Sequence, residues 1–282
     1  MKKTITILTI LGFMHFSNAQ VKTPAASAPT ELEVTVGLTE IDLEYSRPNK
    51  NDRKIFGNLV PYGKIWRTGA NKNSTISFSD DVVIDGQTLK AGKYAIFTKP
   101  EKDNWEIYFY TDTENWGNPE KWDDAKVAAK TTAKVVPLPF EIETFEISIG
   151  DIKNDNAKLG FLWSNVYVEI KIEVPTDKKV MASIDAAMKG KPTAQDYMSA
   201  ANYYFTTDKD IQQAKKWFDE GMKLNKEPKF YHLRQQSLIY AKAGDVKGAI
   251  SLAQKSLDAA KKEGNADYIK MNEESIKEWS KK

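Results

Sequence analysis

The chain has 282 residues, 28% of them charged, with 41 Lys and Arg against 39 Asp and Glu, and it has no cysteine. This length suits one large domain or two smaller ones, each able to bury its own core. A net charge near zero argues against a nucleic-acid-binding protein, and the lack of cysteine excludes disulfides, thiolate ligands and a lipid attached through cysteine.

Residues 1–19 have the pattern of a secretory signal peptide. Two lysines precede an apolar run over residues 5–16, and small residues stand at the −3 and −1 positions before Gln20. The run is shorter than the roughly twenty residues that span a bilayer as a permanent helix. We therefore expect a periplasmic or secreted protein that begins at Gln20, is soluble and starts with a flexible leader over residues 20–31.

Residues 32–174 alternate between apolar and polar side chains, as strands with one buried face do. The Asp85-Gly86 pair between two short apolar runs predicts a hairpin, and Ala91-Gly92 predicts another turn. With eight to ten such strands and few helical patterns between them, we predict an antiparallel, jelly-roll-like β-sandwich. The alternating positions include Ile41, Leu43, Tyr45, Ile76, Phe78, Tyr94, Ile96, Ile107, Phe109, Phe145, Ile147, Val168, Ile170 and Ile172.

After Pro175 the apolar pattern becomes helical, and residues 176–282 predict an all-α domain. The fold class is therefore α+β, with two domains. Capping residues and glycines predict helices over residues 176–189, 193–206, 210–225, 228–243, 245–263 and 266–282.

A shift of 35 residues aligns the helical region with itself. Aromatic residues coincide at Phe205 and Tyr240, and small residues coincide in two pairs, Ala214 with Ala249 and Gly221 with Ser256; Phe218 falls on Ala253. This pattern resembles the tetratricopeptide repeat, in which such positions pack paired helices together. A plain helical bundle is the alternative.

Several motifs of the β-region stand in a defined order: Tyr-Ser-Arg-Pro, Ile-Phe-Gly, Leu-Val-Pro-Tyr-Gly-Lys, Trp-Arg-Thr-Gly-Ala-Asn and Gly-x-x-Leu-x-Ala-Gly-x-Tyr. In this order they resemble the domain of unknown function 2911, which occurs in exported proteins of bacteria. The resemblance covers roughly residues 32–174. It implies a family and an exported location, and it supplies no activity.

The loop over residues 46–73 carries seven basic residues and one acid, Asp52. In one hypothesis its arginines bind a carboxylate, phosphate or acidic sugar between flat aromatic walls. In the other, they pair with the domain's own acids while the glycines provide turn geometry. The candidate ligand-binding residues are Arg47, Arg53, Tyr62, Trp66, Arg67 and Asn71, expected together at one rim of the sandwich.

Other candidate chemistry is sparse, and we predict no metal and no cofactor. His232 is expected to pack or be exposed in a helix, and the segment with Asp80, Asp81 and Asp85 is expected to end one strand and turn into the next rather than bind calcium. Trp105 and Trp163 fall in strand patterns and are expected in the core. Trp116 and Trp122 fall in a loop and are candidates for stacking on sugar rings.

Three classes of function remain. The absence of a catalytic constellation favours a non-enzymatic binding or assembly protein of the bacterial cell envelope. In it the helical repeats contact a protein partner, and the basic loop takes an anionic small molecule or glycan. The alternative is a carboxylate-dependent hydrolase that acts on glycans. A purely structural envelope component is the third class.

Overall fold

A computed structural model describes residues 23–281, so the predicted signal peptide lies outside the described residues. The chain divides into two compact units, the first ending at Pro175 and the second beginning at Thr176. Within residues 23–281, no helix has both the length and the apolar character that a membrane span requires. The strands come first, with one short 3-10 helix (Asp124–Lys126) among them, and the α-helices follow, which confirms the α+β class.

The described part of the first unit contains ten strands in two antiparallel sheets. The strands are β1 (Ala28–Val36), β2 (Thr39–Arg47), β3 (Thr75–Phe78), β4 (Val82–Ile84), β5 (Gln87–Leu89), β6 (Gly92–Pro100), β7 (Asn104–Tyr110), β8 (Val127–Lys134), β9 (Val136–Gly150) and β10 (Asn156–Glu173). One sheet has the order β1-β2-β3-β6-β7-β8, and the other has the order β5-β4-β10-β9.

The buried side chains follow the predicted alternation. In β2, for example, Ile41, Leu43 and Tyr45 are buried while the residues between them are not. Side chains from both sheets join one hydrophobic cluster, in which Trp105 of β7 and Trp163 of β10 are almost fully buried. The core position expected for these two tryptophans is confirmed, while the sandwich arrangement stays a prediction.

Strand β1 begins inside the segment that the sequence predicts to be a flexible leader. Ala28 lies opposite Arg47, and the antiparallel register continues to Val36 opposite Thr39. The leader prediction is therefore wrong from residue 28 onward. Pro29 argues against a strand when only the sequence is considered, because proline is excluded from central strands. It is tolerated at the edge of a sheet, where β1 lies.

The second unit contains six helices within its described residues. They are α1 (Thr176–Lys189), α2 (Ala194–Thr206), α3 (Ile211–Leu224), α4 (Phe230–Lys242), α5 (Val246–Glu263) and α6 (Ala266–Trp279). Asp210 and Asp245, 35 residues apart, cap α3 and α5 with their side chains. The small residues paired by that same shift are buried.

Candidate functional site

The Trp-Arg-Thr-Gly-Ala-Asn motif lies between β2 and β3 and is fixed to β6. The amide of Trp66 donates to the carbonyl of Thr98 at 2.7 Å, and the amide of Thr98 donates to the carbonyl of Trp66 at 2.9 Å. Thr68 is fully buried, and its Oγ1 donates to Oγ1 of Thr98 at 3.0 Å. The motif is therefore held as an extra piece of sheet on a rigid strand.

Three of the motif's residues have positive φ angles, 57° at Thr68, 139° at Gly69 and 62° at Asn71. A Cβ atom on Gly69 would lie 2.9 Å from Oγ of Ser74 and 3.0 Å from the carbonyl oxygen of Ser46. The backbone thus reverses sharply where there is no room for a side chain, which explains why glycine occupies this position.

Trp66 is half-buried and forms one wall of the aromatic cluster beneath the motif. Its ring stacks on Trp163 at 5.8 Å with an interplanar angle of 16°, and it meets Phe145 edge-on at 5.1 Å. Phe56 and Trp105 complete the cluster at 6.4 and 6.1 Å from Trp66. Packing of this kind gives Trp66 a fixed orientation.

The three arginines of the basic loop have different surroundings. The Nε of Arg47 donates to the carbonyl of Phe145 at 3.1 Å, and its Nη2 pairs with the carboxylate of Glu146 at 3.1 Å. Arg53 donates from Nε to the carbonyl of Lys50 at 2.9 Å and from Nη2 to the carbonyl of Asn49. These two side chains therefore stabilise the loop itself.

Arg67 has no such partner. Its Nε atom is enclosed by protein, and neither a hydrogen-bond acceptor nor a carboxylate within residues 23–281 binds the guanidinium group. A partly buried charge without a partner is unfavourable, so it calls for a ligand or a functional explanation.

Arg53, Trp66 and Arg67 line one cavity of about 400 Å³, which we call the arginine cavity. Two arginines and two tryptophans line it, and none of the described residues that line it is acidic. The remaining lining residues are Ala26, Ser27, Pro48, Asn49, Asn51, Leu59, Val60, Gly69, Ala70 and Trp163. This composition fits an anion that carries a flat or apolar portion.

The other candidate residues lie elsewhere. Tyr62 lines a separate cavity of about 450 Å³, which shares Arg53 with the arginine cavity, and its ring packs against Gly57. Arg47 is engaged with β9, and Asn71 lines a third cavity. The structure thus brings three of the six residues together, and their role as a binding site stays a prediction.

The third cavity measures about 580 Å³ and is bordered by Trp116, which is 73% exposed; we call it the Trp116 cavity. Its lining contains three glutamates (Glu31, Glu44 and Glu114) and two lysines (Lys72 and Lys93). Lys93 pairs with Glu44 at 2.7 Å. The sequence indicated Trp116 as a sugar-stacking candidate but gave no sign that Glu31 of β1 would lie nearby.

The three glutamates bear on the hydrolase alternative. All of them are exposed, so none has the enclosed surroundings in which a glycosidase keeps a proton-donating carboxyl group. The three glutamates of the Trp116 cavity thus lack the enclosure that the hydrolase alternative requires of its acid.

The remaining polar candidates have structural contacts. Asp80 accepts a hydrogen bond from Thr39 at 2.9 Å, Asp81 pairs with Lys90 at 2.8 Å, and Asp85 accepts from Thr131 at 3.1 Å. Across the described stretch of the chain, no group of three or more His, Cys, Asp or Glu side chains is arranged to hold a metal ion. His232 accepts a hydrogen bond from the amide of Lys229 at 3.0 Å, at the start of α4.

Comparison with known proteins gave one family match. A family model described as a protein of unknown function (DUF2911) matches residues 27–172, which is slightly more than half of the chain. Neither the curated proteins nor the solved structures contain a match to the chain. The matched range includes every lining residue of the Trp116 cavity and all those of the arginine cavity except Ala26, and the six α-helices lie outside it.

Proposed function

The chain belongs to the family of proteins of unknown function DUF2911, and from that premise we propose that its β-unit binds a small anionic ligand in the arginine cavity. The observation that carries the proposal is the buried Nε atom of Arg67, which has no hydrogen-bond partner among residues 23–281. A bound carboxylate or phosphate supplies the missing acceptor, and charge-assisted hydrogen bonds of this type are among the strongest in proteins.

The surroundings of Arg67 support a binding role over a purely structural one. Arg47 has the contacts of a structural arginine, with a carboxylate and a carbonyl within 3.1 Å. Arg67 has neither among residues 23–281, yet it lies beside a rigid Trp66 at the edge of a cavity whose described lining contains no acid. Fixed aromatic walls and few polar groups are typical of small-molecule sites.

Titration calorimetry with D-glucuronate, inorganic phosphate and D-glucose tests the proposal. We expect at least one of the two anions to bind at least tenfold more tightly than the neutral glucose, a difference of about 1.4 kcal/mol, with an affinity that falls as salt is added. Equal affinity for glucose and both anions, or no binding of either anion, would contradict an anion site.

The architecture that accompanies this function is a β-sandwich followed by a tetratricopeptide-like array. One hydrophobic cluster that takes side chains from both sheets supports the sandwich. The 35-residue shift that superimposes the caps Asp210 and Asp245 and the buried Ala214 and Ala249 supports the repeat. Such repeats present extended surfaces for protein contact, and this part of the proposal is an analogy.

Contact with a protein partner is tested in cells by a photoreactive amino acid at Tyr231, an exposed aromatic residue of α4. We expect one reproducible cross-linked adduct. A matched probe at the exposed Lys189 serves as the control, and equally frequent adducts at both positions would argue against docking through this part of the array.

The proposed location is the periplasm or the exterior of the cell, because of the signal-peptide pattern over residues 1–19. Mass spectrometry of the native protein is expected to find Gln20 as the first residue. Recovery of the chain with Met1 attached would rule out this processing.

A further inference from the structure

Trp116 differs from the other six tryptophans because it alone among them is exposed, at 73%. Both of its neighbours are bound to the buried Asn73, whose amide donates to the carbonyl of Asn115 at 3.1 Å and whose Nδ2 donates to the carbonyl of Gly117 at 3.2 Å. Asn118 donates to the carbonyl of Ile65 at 2.8 Å. The backbone on both sides of the exposed indole is therefore fixed.

The Trp116 cavity differs in charge from the arginine cavity. Two lysines and three glutamates line it, and one lysine and one glutamate of this set pair with each other. This balance of charges disfavours the binding of a second acidic group of the ligand. Amide, ammonium and carboxylate groups around one exposed indole suit an uncharged ligand that has hydroxyl groups and one apolar face, which is the chemistry of a sugar ring.

The two cavities are adjacent. Ala70 lines the arginine cavity, and Asn71, the next residue, lines the Trp116 cavity; consecutive Cα atoms are about 3.8 Å apart. From the other side, Nη1 of Arg67 lies 3.6 Å from the position that a Cβ atom of Gly117 would occupy, next to Trp116. The linings of the two cavities therefore meet at residues 70 and 71, and they approach each other again where Arg67 lies near Gly117.

We infer that the Trp116 cavity is a second subsite, which takes an uncharged sugar ring of an acidic oligosaccharide whose acid group lies in the arginine cavity. The inference rests on the proposed function of the arginine cavity and names the class of its ligand. Trp116 stacks on the sugar ring, and Asn71 and Lys93 provide hydrogen bonds to its hydroxyl groups. Asn73 is a positioning residue, because it holds the segment that carries Trp116.

Titration calorimetry on the full chain tests the second subsite with two probes. The first is D-glucuronate, which fills the arginine cavity alone. The second is a hyaluronan tetrasaccharide, in which glucuronate alternates with the uncharged N-acetylglucosamine. We expect the tetrasaccharide to bind at least tenfold more tightly than glucuronate. In the Trp116→Ala variant we expect the tetrasaccharide to lose this tenfold advantage over glucuronate. The affinity of the variant for glucuronate is expected to stay within about twofold of the parent's.

Phe140→Ala is the matched control, because Phe140 is an exposed aromatic residue (59%) outside both cavities; it is expected to keep both affinities. Trp116→Gln, checked by thermal melting, replaces Trp116→Ala if that variant does not fold. The inference is overturned, and the proposed function is not, if the tetrasaccharide binds no better than glucuronate or if its higher affinity persists in the variant without Trp116. Failure of glucuronate and phosphate to bind overturns the proposed function and the inference together.

Discussion

At the scale of single residues, the arginines of one basic loop have different roles because their partners lie far away in the sequence. Arg47 meets Glu146, 99 residues further along the chain, whereas Arg67 meets no carboxylate in the described residues. Composition predicted a basic loop with aromatic walls. It did not predict which guanidinium is paired, because pairing depends on how β9 of one sheet packs against the end of β2 in the other sheet.

The backbone reversal at Gly69 is expected to be intolerant of any side chain. In Gly69→Ala the new Cβ would lie within 3.0 Å of two oxygen atoms at a φ of 139°, so we expect the free energy of unfolding to fall by more than about 2 kcal/mol. Gly86→Ala is the control, since Gly86 also has a positive φ (74°) but open space around it. Urea unfolding that finds equal losses in both variants would show that crowding at Gly69 is unimportant.

We predict that the β-unit loses stability in acid because of Glu106 on β7. Lys130, Lys99 and the hydroxyl of Tyr108 bind its carboxylate, and the hydrogen bond from Lys130 is the main cause that lowers the pKa of Glu106 to about 2. A lowered pKa stabilises the folded protein above the unfolded value near 4.5, and this contribution is lost as the pH falls toward 2.

Urea unfolding of the parent and Glu106→Gln checks this prediction. We expect the variant to be less stable by about 1 kcal/mol at pH 7, after allowance for solvent screening, and the difference to vanish near pH 2. A difference that is the same at both pH values would mean that ionisation of Glu106 does not stabilise the fold.

At the scale of the elements, local signals were predicted well where backbone geometry alone decides them. Asp85 and Gly86 form the expected hairpin turn, with φ angles of 49° and 74° and Ile84 opposite Gln87. Strand β8 was harder to predict because its inward positions hold small or polar residues, Ala129 and Thr131 among them. Their burial comes from neighbouring strands, and the local apolar pattern is weak.

We predict that the stability of the fold around α4 depends on pH through His232. Its Nδ1 accepts a hydrogen bond from the amide of Lys229 at 3.0 Å, and burial lowers the pKa of the imidazole. Protonation removes this acceptor. The pKa of His232 in the folded protein lies below the unfolded value near 6.5. Its contribution to stability is therefore fully present above that value and is lost as the pH falls below it.

The comparison of the parent with His232→Asn between pH 7 and pH 5 isolates this effect, since asparagine keeps a side-chain acceptor without titrating in this range. We expect the unfolding free energy of the parent to fall more steeply with decreasing pH than that of the variant. Parallel pH profiles would exclude His232 as the source.

At the scale of the whole molecule, the family match and the two cavities both lie in the β-unit, whereas the repeat pattern lies in the helical unit. The sequence predicted the change of structure near Pro175 because strand alternation gives way there to helical spacing. It did not predict the cavities, because β1, the basic loop and the segment with Trp116 contribute to them from distant parts of the chain.

The central claim, that the unpartnered Arg67 holds an anion, is tested most directly by the affinity of Arg67→Gln for D-glucuronate, measured together with its melting temperature. Arg47→Gln, the matched control, removes a paired guanidinium and is expected to lower the melting temperature by about 2–4 °C with the affinity unchanged. For Arg67→Gln we predict an affinity at least tenfold lower and a melting temperature within about 2 °C of the parent. An Arg67→Gln protein that binds glucuronate as tightly as the parent, or melts as early as Arg47→Gln, would contradict the claim.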